Sequence, residues 1–131
     1  MSMDLKETKS RWKRFIYSFK YAFGGIWTVW KGEQNFKVHL FAAVLVCVIG
    51  FVLSISPVEW SILLLLIFGI LALETMNTAI EKTVDLITSD YQPLAKVAKD
   101  LAAGSVLIFS IAAIIIGAII FVPKLIEIII G

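Results

Sequence analysis

Ala72-Leu73-Glu74-Thr75-Met76-Asn77-Thr78-Ala79-Ile80-Glu81-Lys82-Thr83-Val84-Asp85 is the stretch on which the reading of this chain turns. Its polar residues Glu74, Asn77, Glu81 and Asp85 stand at i, i+3, i+7 and i+11. At about 100° per residue they fall within an arc of about 80° on one helix face. Upstream lies an apolar run, Trp60 to Leu73, too short to cross a bilayer alone at about 1.5 Å per residue. The polar stretch must finish that crossing, so the stripe carries its carboxylates to the membrane boundary. A carboxylate at such depth is costly unless it is paired, protonated or turned toward water.

The rest of the chain agrees with a membrane setting. Of its 131 residues 60% are hydrophobic, and the mean hydropathy is +0.92. The apolar residues sit in blocks too long for a water-facing element, so lipid must cover them. The spacing predicts a first span over 38–55, a second over 58–87 with a cytoplasmic extension, and a third over 101–122. Gly104, Ser105, Ser110, Ala112, Ala113 and Gly117 offer small side chains for close helix approach in the third. Pro123 and Lys124 are expected to close it, leaving 125–131 along the interface or against a neighbour.

Before the spans, Trp12, Phe15, Ile16, Phe19 and Phe23 recur at helical spacing opposite Arg11, Lys13, Arg14 and Lys20. This predicts an amphipathic surface helix over 11–30, with Gly24 and Gly25 expected to break or bend it. The fold class is therefore all-α membrane protein, a single domain over 1–131. The charged start, Met1 to Arg14, is unlike a cleavable signal peptide, so the first span is expected to be retained. Cys47 alone supports no disulfide framework.

Basic residues set the orientation. Lys6, Lys9, Arg11, Lys13, Arg14, Lys20, Lys31 and Lys37 precede the first span, and Lys82, Lys96 and Lys99 lie between the second and third. Ser54 to Trp60 has none. The positive-inside rule then puts the N-terminus and the 82–100 segment in the cytoplasm and the C-terminus outside.

A divalent cation is a natural partner for the stripe. Mg²⁺ prefers carboxylate, water and phosphate oxygens, usually with one or two protein carboxylates. Glu81 with the interfacial Glu33 could hold a magnesium nucleotide, leaving Glu74 for proton transfer. Arg14 and Lys99 are cations on the same side, though such a residue taken singly is more often an ordinary interfacial anchor. Intramembrane polar residues can also simply hydrogen-bond across a bundle or line an ion path, so a small transporter and a purely structural subunit stay open. No G-x-x-x-x-G-K-[ST] loop, H-R-D or D-F-G element is present, which excludes the soluble kinase folds. His39 and Cys47 read as interfacial and packing residues.

At Arg14-Phe15, Gly25-Ile26-Trp27, Glu33-Gln34-Asn35-Phe36, the Glu74 to Asp85 block and Pro93 to Gly104, the sequence resembles the prokaryotic integral-membrane diacylglycerol kinase family, within it the undecaprenol kinase branch. The resemblance runs from Arg14 to Pro123. It implies a homotrimer with active sites between subunits near the cytoplasmic interface of the cell membrane. It also implies transfer of the γ-phosphate of Mg-ATP to a lipid alcohol, undecaprenol or alternatively diacylglycerol, with no nucleic-acid partner. By the same resemblance Glu33 and Glu81 match metal-binding carboxylates and Glu74 a general base. Asn77 would orient substrate or phosphate, while Arg14 and Lys99 would meet phosphate. Asp100, Tyr21, Asp90, Tyr91 and Gln92 would lie near the nucleotide, with Asp85 behind them. Phe23-Gly24 stands where relatives often carry a basic residue, and His39 where the diacylglycerol branch tends to have an acid.

Overall fold

The computed structural model describes residues 11–130. Lys6 and Lys9, which entered the orientation argument, lie outside them. The described residues form four helices, α1 (Arg11–Gly32), α2 (Gln34–Val52), α3 (Pro57–Ile87) and α4 (Pro93–Ile130). They divide into two units at the Gly32–Glu33 boundary.

The first unit is α1. Its aromatic residues form a ladder along the helix, with Trp12, Phe15 and Phe19 meeting edge-on at 6.1 and 5.1 Å between ring centroids. The expected break at Gly24 and Gly25 does not occur, and neither glycine adopts a positive φ. Glycine lowers helix stability by only about 1 kcal/mol against alanine, which a helix of 22 residues can absorb. Thr28 Oγ1 also donates to the Gly24 carbonyl at 2.9 Å, so the turn after the pair stays wound.

The second unit holds three helices long and apolar enough to cross a membrane: Gln34–Val52, Pro57–Ile87 and Pro93–Ile130. Between α2 and α3 the chain reverses in four residues, 53–56, with Ser54 at φ 49°. The start of α3 is well specified. Pro57 occupies the first turn, where its missing N–H costs nothing. Ser56 and Glu59 form a reciprocal capping box, Ser56 N donating to Glu59 Oε2 at 2.6 Å and Glu59 N to Ser56 Oγ at 3.3 Å. Lys124 Nζ of α4 lies 3.3 Å from the same carboxylate.

That end of the unit holds the apolar core: Ile55, Leu63 and Ile120 are buried, with Val46, Leu53, Trp60, Ile67, Ile116 and Phe121 packed on them. Gly69 lets α4 close on α3, since a Cβ there would stand 2.5 Å from Phe109 Cζ. Two differences from the sequence reading concern α4. It begins at Pro93, and it runs on through Pro123 to Ile130. A proline removes one ladder hydrogen bond from a helix, but here the apolar residues after it, Leu125 to Ile130, keep the helical path. At 38 residues α4 is about 57 Å long, well beyond the ~30 Å hydrocarbon thickness.

Candidate active site

The up-down-up order of α2, α3 and α4 gathers the start of α2, the end of α3 and the start of α4 at one end of the unit, opposite the apolar core. Glu33 caps α2 with an extended backbone, φ −106° and ψ 120°, yet its side chain makes no capping hydrogen bond. The carboxylate is left for other work, and Oε1 lies 3.9 Å from Lys82 Nζ of α3. A negative charge at this position is also favoured by the partial positive charge of the helix start.

On α3 the stripe expected from periodicity is present, and it is graded by depth. Glu74 is buried at 3% exposure and Asn77 at 7%, Glu81 is half-buried, and Asp85 is exposed. The hydroxyls nearby serve the helix itself: Thr75 Oγ1 donates to the Leu71 carbonyl at 2.7 Å, and Thr78 Oγ1 to that of Glu74 at 3.1 Å. They leave the carboxylates and the Asn77 amide as the polar groups free of the helix backbone. Asn77 Nδ2 donates to Glu81 Oε1 at 3.1 Å, which fixes the amide, because a carboxylate only accepts. Its Oδ1 then stands buried without a hydrogen-bond partner. Such an orphan acceptor costs about 1–3 kcal/mol of desolvation, so the geometry suits a donor brought by a ligand, such as an alcohol O–H.

Glu33, His39 and Glu81 stand around Glu74. Like-charged carboxylates so placed repel unless a cation joins them. Among the described residues no three His, Cys, Asp or Glu side chains form a metal cage. Two carboxylates from different helices are instead the donor set typical of magnesium carried on nucleotide phosphates, so Glu33 and Glu81 fit such an ion.

Farther toward water, Lys99 Nζ of α4 donates to Asp85 Oδ1 of α3 at 2.5 Å. Asp85 thereby holds Lys99 in place, and the ammonium keeps two further protons for a phosphate. Asp100 pairs with Lys96 one turn away. The expected nucleotide residues Asp90, Tyr91 and Gln92 are exposed in the 88–92 connection, which is shaped by Asp90 N donating to Thr88 Oγ1 at 3.1 Å. Arg14 and Tyr21 belong to α1, where both are exposed and the Tyr21 ring stacks on Tyr17 at 6.3 Å between centroids. The second unit thus brings Glu33, Glu74, Asn77 and Glu81 together and joins Asp85 to Lys99.

Against this geometry, residues 20–121 match the family described as prokaryotic diacylglycerol kinase. The chain belongs to that family. It is a family of lipid kinases, which sets aside the transporter and structural-subunit readings. An undecaprenol kinase of Bacillus subtilis (strain 168) is 50% identical over 94% of this chain and 100% of its own length. A diacylglycerol kinase of Synechocystis sp. is 36% identical over 91% of this chain and 70% of its own. That of Escherichia coli (strain K12) is 32% identical over 78% and 84%.

Two residues near the kinase site escaped the sequence reading. His39, read as an interfacial residue, stands near Glu74, and Lys82, used only for orientation, pairs with Glu33. No local spacing announces either contact, because each joins residues on different helices.

Proposed function

We propose that this chain phosphorylates undecaprenol with Mg-ATP, giving undecaprenyl phosphate. The observation that carries the reading is the buried Glu74 beside the Asn77–Glu81 pair, with Glu33 delivered from a second helix. The 50% identity to an undecaprenol kinase over that protein's whole length supports undecaprenol as the alcohol. Diacylglycerol is the second reading, favoured by the 36% and 32% identical relatives.

In this mechanism the lipid hydroxyl enters from the bilayer, donates to Asn77 Oδ1 and lies against Glu74. Glu74 takes its proton as the alcohol oxygen attacks the γ-phosphorus in line, the bond from that phosphorus to the bridging β-phosphate oxygen breaks, and ADP leaves. Glu33 and Glu81 would hold the magnesium, and the ion would supply neutralisation of charge on the nucleotide phosphates. Lys99, steadied by Asp85, meets the phosphate oxygens, as does Arg14, while Tyr21, Asp90, Tyr91, Gln92 and Asp100 face the nucleotide. The molecule works as a homotrimer with sites between subunits, and α1 lies as an amphipathic helix on the cytoplasmic face of the cell membrane. The 82–100 segment is on that side and the C-terminus is outside, in keeping with the basic residues.

The test is phosphate transfer from labelled Mg-ATP to undecaprenol and diacylglycerol side by side in mixed micelles. Preferred labelling of undecaprenol is expected. Preferred labelling of diacylglycerol would keep the site and change the substrate.

A further inference from the structure

Between α2, α3 and α4 lies a cavity of about 350 Å³. His39 is the ionisable residue of its wall and Ser110 its one hydroxyl; nearly all else is aliphatic, with Ala43, Ala113 and Gly117 keeping it wide. His39 also stands near Glu74, so the cavity begins beside the residue proposed to take the proton. From there it follows α4 toward Phe121, about 16 Å from Ser110 along the helix.

We propose that this cavity holds the hydroxyl-proximal isoprene units of the lipid alcohol, with His39 at the boundary between the reacting headgroup and the chain. The inference rests on the polyprenol reading above and adds to it where the hydrocarbon lies.

Three observations converge. First, the space at Gly117 is not needed for helix packing. A Cβ at Gly117 would meet nothing within 4 Å, whereas one at Gly69 would strike Phe109. Second, Ser110 is unlike the other helix hydroxyls of the unit. Ser61, Thr75, Thr78, Thr83 and Ser105 each donate to a carbonyl of their own helix. Ser110 Oγ is buried with no partner, and a prenyl chain offers it the π electrons of a double bond, a weak acceptor that a saturated chain lacks. Third, Ala42, Ala43, Ala113 and Gly117 leave apolar space along the wall, and filling such a space with hydrocarbon gains the dispersion contacts that its lining otherwise lacks.

The test compares Gly117→Leu and wild type on two alcohols in mixed micelles, undecaprenol and 3-methylbut-2-en-1-ol, whose single isoprene unit ends near the headgroup. A Cβ at 117 meets no protein atom within 4 Å, and the melting temperature of each variant reads whether the longer side chain leaves the fold intact; Ala113→Leu serves as a second filling variant, and Ile108→Phe on the exposed face of α4 as the control. The KM for undecaprenol should rise about tenfold in both filling variants, roughly the loss of one or two buried methylene contacts. The KM ratio of the two alcohols should shift by the same factor, and the control should leave it unmoved. An unchanged undecaprenol KM in folded Gly117→Leu and Ala113→Leu overturns the subsite and leaves the kinase reading standing. An equal rise for both alcohols with loss of the oligomer overturns it too, and assigns the cavity to a neighbouring subunit. A wild type that labels diacylglycerol but no prenol overturns the substrate reading first, a failure visible before any variant is made.

Discussion

The two ends of α3 are built from opposite materials. At its start, Ile55, Leu63 and Ile120 are buried together, and the polar groups Ser56, Glu59 and Lys124 satisfy one another outside that core. At its far end, Glu74, Asn77 and Thr78 are the buried residues, and the side-chain acceptor of Asn77 has no partner. The first arrangement is complete as it stands. The second stays costly until a cation, a phosphate or an alcohol is present, which is what a binding site requires and a packing core avoids. Substitutions at one end should therefore change turnover with little effect on melting, and at the other the reverse.

The largest effect is expected at the deepest carboxylate. Glu74→Gln keeps shape and burial but removes the proton acceptor, and kcat should fall by about 10³-fold, within the range for general-base loss. Nucleotide binding should persist, as read by fluorescent-nucleotide titration. Glu81→Gln should lower kcat/KM by about 10²-fold or more, and added Mg²⁺ should recover part of the loss if the metal is held less tightly. Melting temperature of either variant in detergent should stay near that of the wild type.

Smaller changes test the supports. Asp85→Asn frees Lys99 from its 2.5 Å partner; the KM for ATP should rise about threefold to tenfold, consistent with about 1 kcal/mol of lost positioning. An ATP KM that stays put would remove Asp85 from the account. At the opposite end, Gly69→Ala should destabilise by about 1–3 kcal/mol through overpacking against Phe109. Ser56→Ala should cost about 1 kcal/mol through the lost cap. Both should leave the kcat of the folded protein unchanged; a large drop in kcat at either would dissolve the contrast between the two ends.

Much of this was legible before any coordinates. The period of the stripe placed Glu74, Asn77, Glu81 and Asp85 on one face because helix geometry is local and nearly fixed. Hydropathy gave the three spans for the same reason. What escaped the reading depended on how helices meet. The Glu33–Lys82 and Asp85–Lys99 pairs each join two different helices, and nothing in spacing selects such partners. That His39 stands near Glu74 was not legible either, because a lone imidazole beside a span has many roles and the nearness depends on how α2 and α3 meet. Helix ends were also uncertain. Gly24-Gly25 and Pro123 are breakers in isolation, yet α1 and α4 run through them without interruption.

The central claim is that the buried polar end of α3 activates a polyprenol hydroxyl, and labelled phosphate transfer by wild type and Glu74→Gln tests it most directly. Wild type should label undecaprenol in preference to diacylglycerol, and Glu74→Gln should bind nucleotide yet transfer about a thousandth as much label. A folded Glu74→Gln protein that labels undecaprenol at the wild-type rate would contradict the account.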